Sequence, residues 1–271
     1  MMRSLWSAAS GMISQQTAVD TIAHNLSNVN TTGYKTEKTE FKSLLYQTLQ
    51  TRTTTANGEN KPISAQVGLG TRVASITSNF TQGSMLSSES FTSMAIAGDG
   101  FFSVRGADGN TYYTRNGDFK LSVGNNGDLT LVTADGYPVL DSEGNPITMP
   151  GDVSSSKIQV STEGAFGYLD GNGNFVNVAN IGLYQFSNPA GLEKLSNSLL
   201  AVTDASGEAL NEANTANLIR SEVRQKYVEG SNVQVADEMV NLIVAQRAYE
   251  MNSKAIQAAD DMLGQANQLK R

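Results

Sequence analysis

The sequence predicts an α+β protein, in which long amphipathic helices at the two ends pair as a coiled-coil-like domain around an inserted all-β domain. Three observations predict this. Eighteen of the 25 glycines lie between Gly83 and Gly207, so the middle of the chain differs in composition from its ends. Apolar residues recur at helical spacing near both ends. Short β-type runs alternate with turn sequences in the middle. We expect a helical domain of residues 1–34 and 230–271, an extended basic linker at 35–79 and an all-β outer domain at 80–229.

The first thirty residues predict one amphipathic helix. Four apolar residues recur every seven positions, and others fill the three-residue offsets between them. The Asn-Thr-Thr-Gly sequence at 30–33 is typical of a left-handed helix cap, so we expect the helix to end there. The apolar stripe that we assign to self-assembly comprises Leu5, Met12, Val19, Ile22, Leu26 and Val29.

Residues 35–79 are rich in threonine and serine and show little apolar pattern, which favours an exposed loop. This stretch contains six lysines and arginines but only three glutamates, so it has a net positive charge. These cations are either ordinary solvated surface or a contact strip for an acidic neighbour, and the sequence leaves both interpretations open.

The middle of the chain predicts antiparallel hairpins. Short runs of β-branched and aromatic residues are separated by turn sequences that supply positive-φ positions. The runs are residues 101–104, 111–114, 118–123, 128–133, 157–161 and 175–186. The turns are Asp108-Gly109, Asn116-Gly117, Asn126-Gly127, Asp135-Gly136 and Asp170-Gly171.

A second, longer helix is predicted at the end of the chain. Ser231 and Gln234 have the spacing of a capping box, and the following apolar positions have a mean step of 3.6 residues up to Leu269. At ~1.5 Å per residue the helix would exceed ~50 Å, which suggests a coiled coil or a helical assembly. The residues of its stripe that we assign to self-assembly are Val233, Val240, Val244, Met251, Ala255, Met262 and Leu269.

Both apolar stripes need a partner. One possibility is that each helix packs on the β domain, which can close its own core. The stripes are rich in alanine and flanked by glutamines, and this composition suits close packing of helix on helix better. We therefore expect the two ends of the chain to pair, in a register that the sequence does not define.

The composition argues against most catalytic and binding chemistry. A net charge of −7 disfavours nucleic acid, and the absence of cysteine excludes thiolate catalysis and cysteine-based metal sites. His24 is the single histidine, and Asp20 one turn earlier allows at most a surface pair. We predict no catalytic, cofactor or metal residues, and no stretch is long enough to span a bilayer.

Two short motifs imitate ligand sites. Gly98-Asp99-Gly100 begins like a dinucleotide fingerprint, but a predicted strand follows it where a helix is required, so we interpret it as a tight turn. Asp170, Asn172 and Asn174 imitate the start of a calcium loop. Because the glycine and the final glutamate of such a loop are missing, a polar hairpin turn explains this segment better.

Several long strings of the chain closely resemble bacterial flagellar axial proteins, the rod and hook family. The string at 23–35 resembles the N-terminal signature of that family, and the strings at 229–233, 239–243 and 246–250 resemble its C-terminal signature. Residues 98–102 and 113–119 are similar to its β-domain strings. The residues that we assign to the family motif are Asn25, Leu26, Asn28, Gly33, Gln246, Arg247, Ala248 and Tyr249.

Within the family, residues 4–6 and 44–48 look most like the distal rod subunit, with the proximal rod and hook proteins as alternatives. The resemblance implies a rigid helical homopolymer in the basal body of the cell envelope, which acts as a drive shaft between motor and hook. It also implies proximal rod and hook proteins as partners, a surrounding bushing ring as a further possible partner, and flagellar type III export without a cleaved signal. An extracellular enzyme or adhesin is the remote alternative.

Overall fold

The structure is a computed structural model that describes residues 2–50, 65–124, 127–171, 173–215 and 218–268. The chain divides into two compact units. The first, here called the helical unit, contains the described parts of residues 1–27, 37–78 and 234–271. The second, the β unit, contains those of residues 28–36 and 79–233. The predicted mixture of α-helix and β-strand is confirmed, with a long helix near each end of the chain.

The helical unit contains two helices and four strands. They are α1 (Met2–Ser27), β1 (Glu37–Ser43), β2 (Tyr46–Gln50), β3 (Ala65–Gly68), β4 (Thr71–Ser78) and α2 (Val235–Gln268). Strand β1 pairs with β4 and β2 with β3, both antiparallel, in the region where the sequence predicted an extended loop. The many β-branched threonines of this region favour strand over loop. None of the helices in the described residues has an apolar stretch long enough to cross a membrane.

Both helices are confirmed, but their ends differ from the predicted ones. Helix α1 ends at Ser27, before the predicted cap at 30–33. After the helix, the Thr31 N–H donates to the Asn28 carbonyl at 3.1 Å, and the Thr31 hydroxyl donates to the Asn28 side chain at 3.0 Å. The predicted capping box does not form, since the Ser231 hydroxyl accepts from the Val233 N–H. Helix α2 begins later, at Val235.

The β unit consists of short antiparallel strands. Its largest sheet has six strands, two further sheets have three, and two have two. The strands are β5 (Met85–Ser87), β6 (Met94–Ala97), β7 (Phe101–Arg105), β8 (Thr111–Thr114), β9 (Lys120–Val123), β10 (Leu129–Val132), β11 (Thr148–Met149), β12 (Ile158–Val160), β13 (Ala165–Leu169), β14 (Phe175–Asn180), β15 (Leu183–Gln185), β16 (Glu193–Lys194), β17 (Leu200–Ala201), β18 (Leu210–Asn211), β19 (Glu222–Gln225) and β20 (Tyr227–Glu229).

The sheet orders are β16-β17-β8-β7-β15-β18, β11-β10-β9, β12-β13-β14, β19-β6 and β20-β5. Two apolar clusters fill the β unit, and the larger includes Phe102, Phe119 and Phe166, all fully buried. The smaller is aromatic: Phe101 and Tyr113 contact Phe186 edge to face, with ring centroids 5.5 and 4.9 Å apart. The β unit therefore has its own core, as a domain requires.

Each predicted run contains a strand, but the run at 175–186 is two strands, β14 and β15, which belong to different sheets. Of the predicted turn glycines, Gly109, Gly127 and Gly136 adopt positive φ, whereas Gly117 and Gly171 do not. A Cβ on Gly117 would clash with the Met94 carbonyl oxygen, so this glycine allows close backbone approach instead. The Asp170 N–H bonds to the Asn174 carbonyl across a hairpin turn, while Asn172 lies outside the described residues.

Candidate assembly surface

Helices α1 and α2 pack against each other in an antiparallel arrangement. Two contacts define the register. A Cβ on Gly11 would lie 2.9 Å from the Asn252 Nδ2, and the Asn25 Nδ2 donates to the Glu238 carboxylate at 3.2 Å. The two contacts are 14 residues apart on both helices. This register places Ala18 opposite Ala245, and both are buried.

The contacts between α1 and α2 therefore recur every seven residues and involve small or polar side chains. Gly11, Ala18 and Ala245 have no large side chain, so the two backbones approach closely. Apart from these positions, the most buried α2 residue is Ala259, which is 1% exposed and continues the seven-residue spacing.

Asn25 joins three elements of the helical unit. It is 1% exposed, and its Nδ2 donates to the Glu37 carbonyl at 2.8 Å as well as to Glu238. Its Oδ1 accepts the Glu37 N–H at 2.8 Å. The Asn25 side chain thus satisfies both backbone groups of the first β1 residue while contacting α2, which accounts for an amide at this motif position.

Helix α1 also packs against the strands through hydroxyl groups. The Thr71 N–H donates to the Ser10 hydroxyl at 3.3 Å, and the Thr71 hydroxyl donates to Ser14 at 3.4 Å. Further along the helix, Thr39 donates to Thr21 at 2.9 Å. The face of α1 that meets β1 and β4 is therefore polar, although the sequence predicted that α1 packs through an apolar stripe.

Most of the predicted α2 stripe lies in solvent. Val240, Val244, Met251 and Met262 are 60%, 62%, 65% and 52% exposed, and Ala255 is exposed with them. At ~100° per residue these positions lie ~80–160° around α2 from Glu238 and Ala245, so they flank the α1 contact rather than form it. They are consequently free of the α1 contact in the single chain.

The two residues at the ends of that predicted stripe, Val233 and Leu269, lie outside the described part of α2. Val233 is buried and precedes the first residue of α2, so it cannot line an exposed face of the helix. The helix begins later than the capping-box pattern indicated, and the assignment of Val233 to self-assembly stays a prediction. Leu269 lies outside the described residues.

The predicted α1 stripe is only half-buried, and a neighbouring pair is more exposed. Leu5, Met12, Val19, Ile22 and Leu26 are half-buried, as is Val29, which lies beyond the end of the helix. Trp6 and Ile13 are 72% and 68% exposed, and sequence reasoning missed them. The available signal was the seven-residue spacing between Trp6 and Ile13. Leu5 and Met12, each one position earlier in the chain, have the same spacing.

The family-motif residues divide into two groups. On α2, Gln246, Arg247 and Tyr249 are exposed and Ala248 is half-buried. Near the first helix, Leu26 is half-buried, and Asn28 and Gly33 lie in the turn segment that follows α1. Gly33 has a φ of 71°, and a Cβ there would lie 2.7 Å from the Arg115 carbonyl carbon. A side chain is therefore excluded at Gly33 both by backbone conformation and by space.

Comparisons with known proteins first identify the class, the rod and hook proteins of the bacterial flagellum. A family model described as "Flagella basal body rod protein" matches residues 5–35. A model for the "Flagellar hook protein FlgE/F/G D1 domain" matches residues 95–168. A third, "Flagellar basal body rod FlgEFG protein C-terminal", matches residues 224–269.

Full-length relatives then define the family. The chain is 45% identical to the flagellar basal-body rod protein FlgG of Borreliella burgdorferi, over 100% of both chains. It is 39% identical to that of Agrobacterium fabrum, over 96% of this chain and 97% of the relative. It is 36% identical to that of Bacillus subtilis, over 100% of both. The chain belongs to the FlgG family of flagellar basal-body rod proteins, so its predicted role as a structural rod subunit in the basal body is confirmed.

Proposed function

We propose that the chain is a subunit of the distal rod and that it polymerises through the exposed apolar faces of its helix pair. The observation that carries this proposal is the exposure of the α2 stripe formed by Val240, Val244, Met251, Ala255 and Met262. Monomeric proteins rarely leave large contiguous apolar patches in water, and such patches usually mark interaction sites.

The stripe can supply substantial binding energy. Burying a whole Val or Met side chain contributes ~1.5–3 kcal/mol, and more than half of each of the four larger side chains is still exposed. Covering all four would therefore contribute roughly 4 kcal/mol for each subunit, before the cost of association is subtracted. Repeated along a polymer, this contribution favours assembly without any other ligand.

The two apolar faces are different surfaces, since one belongs to α2 and the other, Trp6 and Ile13, belongs to α1. Contact between unlike surfaces of identical subunits generates a ring if the rotation closes and a helical filament if it does not, and the proposal takes the second case. In this proposal residues 1–34 and 230–271 form the coiled-coil-like assembly domain. Residues 35–79 link this domain to residues 80–229, which form the outer β domain.

The proposed role is mechanical rather than catalytic. Closely packed helices deform little, so a tube built from them is suited to transmitting motor torque to the hook as a drive shaft. Proximal rod proteins and the hook protein would contact the two ends of the tube. A bushing ring around the shaft and the flagellar type III export apparatus would be further partners.

Charge substitutions on the stripe test the proposal. Val240→Asp and Met251→Asp should each stop rod assembly and motility, because assembly would bury an unpaired charge at every subunit. Gln257→Asp is the matched control, since Gln257 is exposed on α2 but lies ~160° around the helix from Ala255. Helix content of the purified variants should be unchanged because all three sites are exposed in the single chain. Normal rods from either stripe variant, in electron micrographs of basal bodies, would contradict the assignment.

A further inference from the structure

The chain passes between the two compact units four times, at 27/28, 36/37, 78/79 and 233/234. The segments of the β unit next to three of these crossings meet at one side chain, Asn232. Its Oδ1 accepts from both the N–H and the hydroxyl of Thr36, each at 2.7 Å. Its Nδ2 donates to the Asn79 carbonyl at 2.9 Å and to the Thr81 carbonyl at 3.1 Å.

The backbone reinforces this junction, since the Asn79 N–H donates to the Thr36 carbonyl at 2.8 Å. Asn232 therefore binds Thr36, which precedes β1, and Asn79, which follows β4. Asn232 itself is adjacent to Val233, the last residue before the chain leaves the β unit. One amide thus links three chain segments that are up to 196 residues apart in sequence.

Glu229 forms a second layer of contacts on the same segments. Its carboxylate accepts from the Lys35 ammonium at 2.6 Å, from the Gly83 N–H at 2.9 Å and from the Arg115 guanidinium at 3.3 Å. Its backbone carbonyl accepts the Gly33 N–H at 2.8 Å. The charged side chains of Lys35, Arg115 and Glu229 are 5%, 2% and 1% exposed, so water does not compete for these bonds.

Lys35, Glu229 and Asn232 lie in the two strings that resemble the terminal signatures of the family, at 23–35 and 229–233. The self-assembly stripe uses neither Lys35, Glu229 nor Asn232. The contacts of these three residues therefore call for a role of their own.

We propose that Asn232 and Glu229 form a clamp that holds three segments of the β unit, each next to a chain crossing, so that they move together under load. Unlinked segments would bend and twist separately under load, whereas the hydrogen bonds and ion pairs between these segments allow only joint movement. The clamp thus prevents these segments of the β unit from separating when the subunit carries torque. This inference rests on the proposed function, because it assumes that the subunit carries torque.

The test compares Asn232→Ala with Asn211→Ala in the full chain. Asn211 is a suitable control because its amide also bonds to backbone within the β unit, to the Ser142 carbonyl at 2.8 Å and the Ala213 N–H at 2.9 Å, away from the crossings. Thr36→Val is a milder second variant that removes only one hydroxyl bond to Asn232. Hydrogen exchange of the purified chains and motility in media of increasing viscosity are measured for all three.

In Asn232→Ala, amides at 33–36 and 231–233 should exchange at least about tenfold faster than in the wild type, while the β core and both helices keep their protection. Thr36→Val should show a smaller change in the same direction, and Asn211→Ala none at these amides. Cells with Asn232→Ala should form rods and swim at low viscosity, but should lose speed at high viscosity well before cells with Asn211→Ala.

Three results would overturn the inference. Unchanged exchange at these amides in Asn232→Ala would show that the clamp does not hold the segments. Faster exchange with wild-type motility at high load would show that the clamp has no mechanical role. A complete absence of rods in both Asn232→Ala and Thr36→Val would show that the contacts serve folding or assembly. Failure of the proposed function is separate, since it would appear as normal rods from the stripe variants.

Discussion

Replacing Glu229 with glutamine should severely destabilise the β unit. The carboxylate is the shared partner of two buried cations, Lys35 and Arg115. Burial lowers the pKa of both Lys35 and Arg115, and the charge of Glu229 counteracts this effect in each case. The carboxylate therefore compensates part of the cost of burying the two cations.

The size of the effect follows from the loss of that charge. Glutamine keeps the shape of the side chain, but it offers one acceptor oxygen and directs an N–H donor at a cation. Breaking a buried pair by removing one partner costs ~3–5 kcal/mol, because the other charge is left unpaired. Two cations share Glu229, so we expect the upper part of this range. That is a large fraction of the ~5–15 kcal/mol that holds a typical domain folded.

Urea unfolding followed by near-ultraviolet circular dichroism of tyrosine measures the change in the free energy of unfolding. Glu222→Gln is the control, because Glu222 pairs with Arg224 at 3.9 Å on the surface and both side chains are more than half exposed. Such a pair contributes ~0–1 kcal/mol. A change of less than ~1 kcal/mol for Glu229→Gln would refute the reasoning that buried charge pairing governs this site.

Two further predictions concern other positions of the β unit. Gly33→Ala should lower the free energy of unfolding in urea by more than ~2 kcal/mol, because the cost of positive φ and the cost of a backbone clash add. The control is Gly136→Ala, which should cost only ~1 kcal/mol, because Gly136 has a φ of 88° but no atom within 4 Å of an added Cβ. Equal costs for the two variants would contradict the clash at Gly33. Burial and then Tyr184 raise the pKa of Tyr113 to about 12, so native Tyr113 keeps its proton after the unfolded chain has lost it near pH ~10. The free energy of unfolding should therefore fall between pH ~10 and ~12, and Tyr113→Phe should remove up to ~2 kcal/mol of that fall. Urea midpoints of the wild type and the variant at pH ~9 and ~11.5 measure the difference. Parallel pH profiles of the two proteins would contradict the prediction.

The spacing of apolar residues predicted the helices and many strands, because it indicates which backbone conformation places those residues on one buried face. It did not show which face of each helix the other would cover. Gly11, Ala18 and Ala245 carry almost no apolar signal, yet they define the α1 to α2 contact. Close approach of two backbones depends on the absence of side chains, and hydrophobic spacing does not record an absence.

The junction around Glu229 could not be predicted for a different reason. Lys35 and Glu229 are 194 residues apart, and each is an ordinary charged residue in its own local sequence. Only the fold brings them together and removes them from water. The strings around them were recognisable as family signatures, but a signature does not state whether its residues pack, pair or bind.

The arrangement of the helix pair connects these points to assembly. In an isolated globular protein the large apolar side chains of a helix normally face its intramolecular partner. Here small and polar residues such as Ala245 and Asn25 occupy the inner contact, while Val244, Met251 and Trp6 face outward. The inner contact buries few large apolar side chains, so apolar burial contributes little to helix pairing within one chain. Covering the outer faces would therefore stabilise the helices themselves as well as the polymer. Assembly and helix pairing should then be coupled, and growth would be favoured only at an existing end that already presents a partner face.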